Sequence, residues 1–159
     1  MSKIKLAIAD DNKDFCDILY EVLGEEKDIE ISWTANDGRK VLEEIQKETP
    51  DVLILDNIMP YIDGFEVLEQ INKMELSKSP KIIMLTAMGN ETFTKKAISL
   101  GASYYIVKPF DLQILLKRIY SLSGIHRRKI LLRRRNLPES SSARKTAKRC
   151  PIWKSISRI

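Results

Sequence analysis

The segment Val52-Leu53-Ile54-Leu55 constrains this chain more than any other. Four consecutive apolar residues leave no side for water, so a strand built from them must be covered on both faces. Pro50 stops any helix before it, and Asp56 ends the run. A strand covered on both faces belongs to a parallel sheet between two layers of helices.

The rest of the first 124 residues follows from that requirement. Ile4 to Ala9 reads as a short buried strand. Asn12 can cap a helix in which Phe15, Ile18, Leu19, Val22 and Leu23 recur at helical spacing. Ile29 to Trp33 alternates as a second strand. Asp37 can cap a helix carrying Val41, Leu42 and Ile45, and another helix runs from about Asp63 with Val67, Leu68 and Ile71 inward. Ile82 to Leu85 and Tyr104 to Val107 read as the fourth and fifth strands. Between them a helix spans Thr92 to Leu100, closed by Gly101, which can take the left-handed conformation. Leu112, Leu115, Leu116, Ile119 and Leu122 mark the fifth helix. Each strand–helix–strand step has crossover length. The expected fold is α/β, a doubly wound five-stranded parallel sheet with five helices.

Composition narrows the function. The chain is 43% hydrophobic and 31% charged, which suits a soluble globular domain. No apolar run reaches the ~18–20 residues that span a bilayer. Met1 to Ala9 is too short for a secretory signal, so a cytoplasmic location is expected. Cys16 and Cys150 stand far apart in no ligand spacing, and His126 is the single histidine. Zinc sites and Ser-His-Asp chemistry are disfavoured. The net charge of +5 divides unevenly. Residues 1–124 hold 15 Lys and Arg against 21 Asp and Glu, a charge of −6. Residues 125–159 hold 12 Lys and Arg against Glu139 alone, a charge of +11. An acidic body therefore carries a basic tail.

In a doubly wound sheet, ligands sit beyond the carboxyl ends of the strands. Those ends carry Asp10-Asp11, Asp56, Thr86-Ala87 and Lys108-Pro109. Singly, each is a common turn or loop residue. Together they put carboxylates, a hydroxyl and an amine on one edge. Crowded carboxylates resist ionisation unless a cation joins them, and Mg2+ accepts oxygen ligands of this kind. Asp11 and Asp56 are the natural direct ligands, Asp10 can act through water, and the backbone carbonyl of Ile58 can add an oxygen. Without the ion, Lys108 should lie near Asp56. Such a group suits phosphoryl transfer, with Asp56 as nucleophile and Thr86 and Lys108 binding phosphate oxygens. Other phosphate chemistries fit less well. No Gly-x-x-x-x-Gly-Lys-Ser/Thr loop occurs, and Asp-Asp-Asn-Lys stands where a dinucleotide fingerprint would follow the first strand. An Asp-based phosphatase wants a second acid two residues after the nucleophile, where this chain has Ile58.

The segments Ala9-Asp10-Asp11-Asn12, Leu55 to Pro60 with Asp63-Gly64, Leu85-Thr86-Ala87 and Val107-Lys108-Pro109-Phe110 resemble the receiver domain of two-component response regulators. The resemblance covers residues 1 to about 124 and implies the strand order 2-1-3-4-5. It implies that Asp56 accepts phosphate from a histidine kinase or a histidine phosphotransfer protein. It implies Mg2+, or Mn2+ or Ca2+ in its place, at Asp10, Asp11, Asp56 and the Ile58 carbonyl. Thr86 and Lys108 become the signalling hydroxyl and amine, and Tyr105 the switch aromatic. Phosphorylation would then change the face made by helix 4, strand 5 and helix 5, and a homodimer can form on phosphorylation. Within the family, Ile8 to Asn12, Met84 to Ala87, Thr94 to Ala97 and Leu100 to Asp111 resemble the receivers of sporulation master regulators. Those proteins continue into a large helical DNA-binding domain, which residues 125–159 are too few to form. This segment is expected to be disordered, with Ile125 to Leu132 able to prolong the last helix. It reads as a solvated tail, as the ending of a truncated or frame-shifted gene, or as a weak, salt-sensitive, non-specific contact to nucleic acid. The competing reading of the whole chain is a stand-alone receiver, acting as a relay or phosphate sink through protein contacts.

Overall fold

The computed structural model describes residues 2–124. The expectations for residues 125–159 lie outside those residues. The chain forms β1 (Ile4–Ala9), α1 (Lys13–Gly24), β2 (Ile29–Ala35), α2 (Gly38–Lys47) and β3 (Val52–Asp56). It continues through α3 (Gly64–Lys73), β4 (Lys81–Thr86), α4 (Glu91–Ser99), β5 (Tyr104–Val107) and α5 (Leu112–Ser123). The strands make one parallel sheet in the order β2-β1-β3-β4-β5. Both the α/β class and this strand order match the expectation.

Side-chain alternation divides the core between the two faces. In β3, Val52 and Ile54 join Phe15, Leu19 and Leu23 of α1 and Leu115 and Ile119 of α5. Leu53 and Leu55 join Val41 and Ile45 of α2, Leu68 of α3 and Ala97 of α4. Every residue of β3 is buried, as its unbroken apolar run requires. β3 pairs with β1 through Leu53 opposite Ala7 and with β4 through Leu53 opposite Ile82.

All five helices start on an Asn or Asp cap: Asn12, Asp37, Asp63, Asn90 and Asp111. Each side-chain oxygen accepts an amide hydrogen two or three residues on, for example Phe15 N–H to Asn12 Oδ1 at 3.1 Å. Except after β3, the caps follow the strand ends within four residues, so most loops on that edge are short. Some boundaries differ from expectation. β2 runs two residues further, because Thr34 and Ala35 pair with Ile8 and Ala9 although they carry little apolar signal. α4 starts at Glu91 and ends at Ser99, because the Asn90 cap outweighs the apolar pattern. α5 ends at Ser123, where Gly124 takes a left-handed φ of 70°. Gly101 is left-handed as expected, with φ 97°. Among the described residues, no helix is long and apolar enough to cross a membrane.

One glycine bears directly on the carboxyl edge. A Cβ at Gly64 would lie 2.4 Å from the Asp56 carbonyl oxygen and 2.8 Å from Asn57 Cα. Both are backbone atoms and cannot turn aside. The Gly64 amide donates to the Asn57 carbonyl at 2.9 Å, which ties α3 to the end of β3. Gly64→Ala should therefore push α3 off the strand and lower stability by about 1–3 kcal/mol. Urea unfolding checks this, and an unchanged midpoint would contradict it.

Candidate metal and phosphoacceptor site

The parallel sheet delivers the ends of β1, β3, β4 and β5 to one edge. Asp10 and Asp11 follow β1, and Asp56 ends β3. Asp10 and Asp56 are buried, at 2% and 5% exposure, while Asp11 is exposed. Their carboxylate oxygens come within 4.8 Å of one another. Asp10 Oδ1 accepts the Asn12 amide hydrogen at 2.9 Å, and Asp56 Oδ2 accepts that of Ile58 at 3.1 Å. Lys108 reaches in from the end of β5. Its Nζ donates to Asp10 Oδ2 at 2.5 Å and stands 3.4 Å from Asp56 Oδ1. The amine was expected beside Asp56, and it does approach that residue, but its shorter bond is to Asp10. The ammonium also lies 4.4 Å from the Phe15 ring centre, a cation–π contact that holds it low over the edge. The Lys108–Pro109 bond is cis, and the Lys108 amide donates to the Thr86 carbonyl at 2.7 Å.

The electrostatics follow from this geometry. Burial first, and the charge of Asp10 next, push the Asp56 carboxyl up to about 6. Lys108 pulls it down and Asp11 adds a further push upward, but burial and Asp10 prevail. For Lys108 burial disfavours the charge, yet the hydrogen bond and charge of Asp10, with Asp56, raise its pKa overall. One ammonium thus stands against three carboxylates. The donor set is all hard oxygen, two of its members are buried, and its net charge is negative. Those features fit a hard divalent cation.

Thr86 is fully buried at the end of β4, and its Oγ1 accepts the Met88 amide hydrogen at 3.0 Å. The Tyr105 hydroxyl donates to the Met88 carbonyl. Its ring is half-buried against the core on the α2–α3–α4 face. Two groups behind the acids escaped the sequence reading. Cys16 Sγ donates to the Asp10 carbonyl at 3.4 Å, and Asn36 Nδ2 donates to the same oxygen at 3.1 Å. Cys16 falls on the apolar stripe of α1 and reads as core. Burial, then the charge of Asp10, lifts its thiol to about 12, so it stays protonated. Asn36 sits between a strand and the cap Asp37 and reads as a turn residue, so no pattern singles it out.

The fold and this edge define a flavodoxin-like signalling module. The family of response regulator receiver domains matches residues 6–120. The chain belongs to that family, and it is a receiver of two-component signalling. Many solved structures share the fold, and three of them illustrate the likeness to this chain. The response regulator domain of CheB from Thermotoga maritima is 25% identical, with TM-score 0.70 over 79% of this chain and 99% of that one. A CheX-CheY-BeF3-Mg+2 complex from Borrelia burgdorferi contains a chain 30% identical, with TM-score 0.68 over 76% of this chain and 90% of that one. The signal receiver domain of NarL from Mycobacterium tuberculosis is 23% identical and similar in fold, with TM-score 0.73 over 78% and 98%.

The raised pKa of Asp56 makes a stability prediction. Its unfolded value is 3.8 and its folded value about 6. Protonation of Asp56 therefore favours the fold. That contribution is complete below pH 3.8 and is lost as pH rises through about 6. Above that range the buried charge costs about 2–3 kcal/mol. Asp56→Asn should thus stabilise the metal-free protein by about that amount at pH 8 and by little at pH 4. Added Mg2+ should stabilise the unsubstituted protein more than the variant and so narrow the gap at pH 8. Urea unfolding with a chelator, then with Mg2+, measures each part. A variant less stable at pH 8 would contradict the assignment of a strained, uncompensated charge.

Proposed function

We propose that Asp56 is the phosphoacceptor of this receiver and that its donor is a phosphohistidine on a histidine kinase or a histidine phosphotransfer protein. The placement of Asp56 carries this reading. It is buried at the end of β3, 3.4 Å from an ammonium and clustered with two further carboxylates. An Asp56 oxygen attacks phosphorus. The new O–P bond forms as the N–P bond breaks, and the imidazole leaves with the bonding pair. Lys108 offsets the negative charge that arrives. Asp10, Asp11, Asp56 and the Ile58 carbonyl would hold Mg2+, or Mn2+ or Ca2+. When bound, that ion supplies positive charge against the acids and the phosphoryl oxygens. The Borrelia relative was solved as a CheX-CheY-BeF3-Mg+2 complex, which supports Mg2+ as the ion and a protein as the partner.

Thr86 would then turn toward the phosphoryl group, and Tyr105 would move into the space it leaves. Both hydroxyls bond the backbone of Met88, which favours coupled movement. The output face would be α4, β5 and α5, where Ile98, Val107 and Ile114 expose apolar surface. Two copies would pair on that face after phosphorylation. The likeness of Met84 to Ala87 and of Leu100 to Asp111 to the receiver of stage zero sporulation protein A supports sporulation-type transcription control in the cytoplasm.

Labelling with radioactive acetyl phosphate and Mg2+ tests the acceptor. Asp56→Asn should fall to background, and full labelling of that variant would overturn the assignment. Thr86→Ala should keep its labelling but lose phosphorylation-dependent pairing in sedimentation. Pairing equal to that of the unsubstituted protein would overturn the switch.

A further inference from the structure

We propose that Asn36 is a positioning residue for Asp11, acting through the peptide unit that joins Asp10 to Asp11. The inference rests on the reading of Asp10, Asp11 and Asp56 as cation ligands.

Asp10 and Asp56 have their carboxylates tied by backbone amides and by Lys108. Asp11 has no such tie. Its side chain is exposed and accepts no hydrogen bond from any described residue. Its location is set by its backbone. The Asp10 carbonyl and the Asp11 amide belong to one planar unit, so whatever fixes the carbonyl fixes the plane from which Asp11 departs.

Two side chains fix that carbonyl. Asn36 Nδ2 donates to it at 3.1 Å, and Cys16 Sγ at 3.4 Å. The thiol is a weak donor and the amide a strong one, so Asn36 carries the larger share. Asn36 is itself well anchored. On one side Ala35 pairs with Ala9 and accepts the Asp10 amide hydrogen at 3.1 Å. On the other, Asp37 caps α2 through the Lys40 amide at 2.9 Å. A rigid strand end and a rigid helix start therefore hold the clamp. Groups that orient metal ligands from behind in this way typically change metal affinity about 10–100-fold when removed.

The test is the affinity of the unphosphorylated full chain for Mn2+, read by electron paramagnetic resonance without any phosphodonor. Asn36→Leu keeps the size of the side chain and removes its donor. It should weaken Mn2+ binding about 10-fold. Asn36→His restores an N–H donor and should recover most of the loss. Asp11→Asn should also weaken binding. In the Asp11→Asn background, Asn36→Leu should cost nothing further, because its effect passes through Asp11. Urea unfolding in chelator reports the folded stability of each variant separately. An Asn36→Leu effect equal in both backgrounds, or absent while Asp11→Asn weakens binding, would overturn the proposal and leave the cation site standing. If Asp11→Asn itself leaves Mn2+ affinity unchanged, Asp11 is not a ligand and both readings fall.

Discussion

Three carboxylates meet at one edge of the sheet, and among the described residues only one ammonium answers them. The electrostatics of the site can be traced to that imbalance. Asp10 takes the short bond to Lys108, so Asp56 keeps a charge that is buried and only partly offset. A proton can relieve it, as the carboxyl pushed up to about 6 indicates. A divalent cation relieves it more completely and brings its own affinity for phosphoryl oxygens. The same imbalance that makes the edge costly in isolation suits it to a divalent cation.

Sheet topology decides which residues share that edge. Only a parallel sheet sends every carboxyl end the same way. The order 2-1-3-4-5 places β1 and β3 side by side, so Asp10 and Asp56 become neighbours although 46 positions separate them. β5 lies two strands from β3, with β4 between. An amine arriving from β5 must therefore cross the end of β4. Lysine is long enough, and the Phe15 ring beneath it supports the extended chain. Thr86 occupies the gap it crosses, fully buried at the end of β4.

Much of this was legible in the residues. The Val52 to Leu55 run demanded two-sided cover, and that alone implied helix layers and parallel pairing. The Asp, Thr and Lys residues at four strand ends marked the edge. Register was harder to read. Thr34 and Ala35 complete β2 by pairing with β1, which no local pattern announces. The preference of Lys108 for Asp10 was hidden for a related reason. Sequence shows which acids reach the edge but not which one lies under an incoming side chain. Asn36 and Cys16 stayed hidden because each has a commonplace local reading as turn or core. Their shared acceptor appears only when β2 and α1 are laid against the end of β1.

The Met88 backbone sets the character of the proposed switch. Its amide hydrogen goes to Thr86 Oγ1, and its carbonyl accepts from Tyr105. If Thr86 turned toward a phosphoryl group, the Met88 amide would lose its acceptor. Met88 is exposed, so water or a shift of the β4–α4 loop would supply another acceptor. That movement would carry the Met88 carbonyl with it and release the Tyr105 hydroxyl. In the proposed switch the loop would have two arrangements, with Thr86 bonded to the Met88 amide or turned away from it. Charge placed on Asp56 would favour the second and so change the face that β5 shares with α4 and α5.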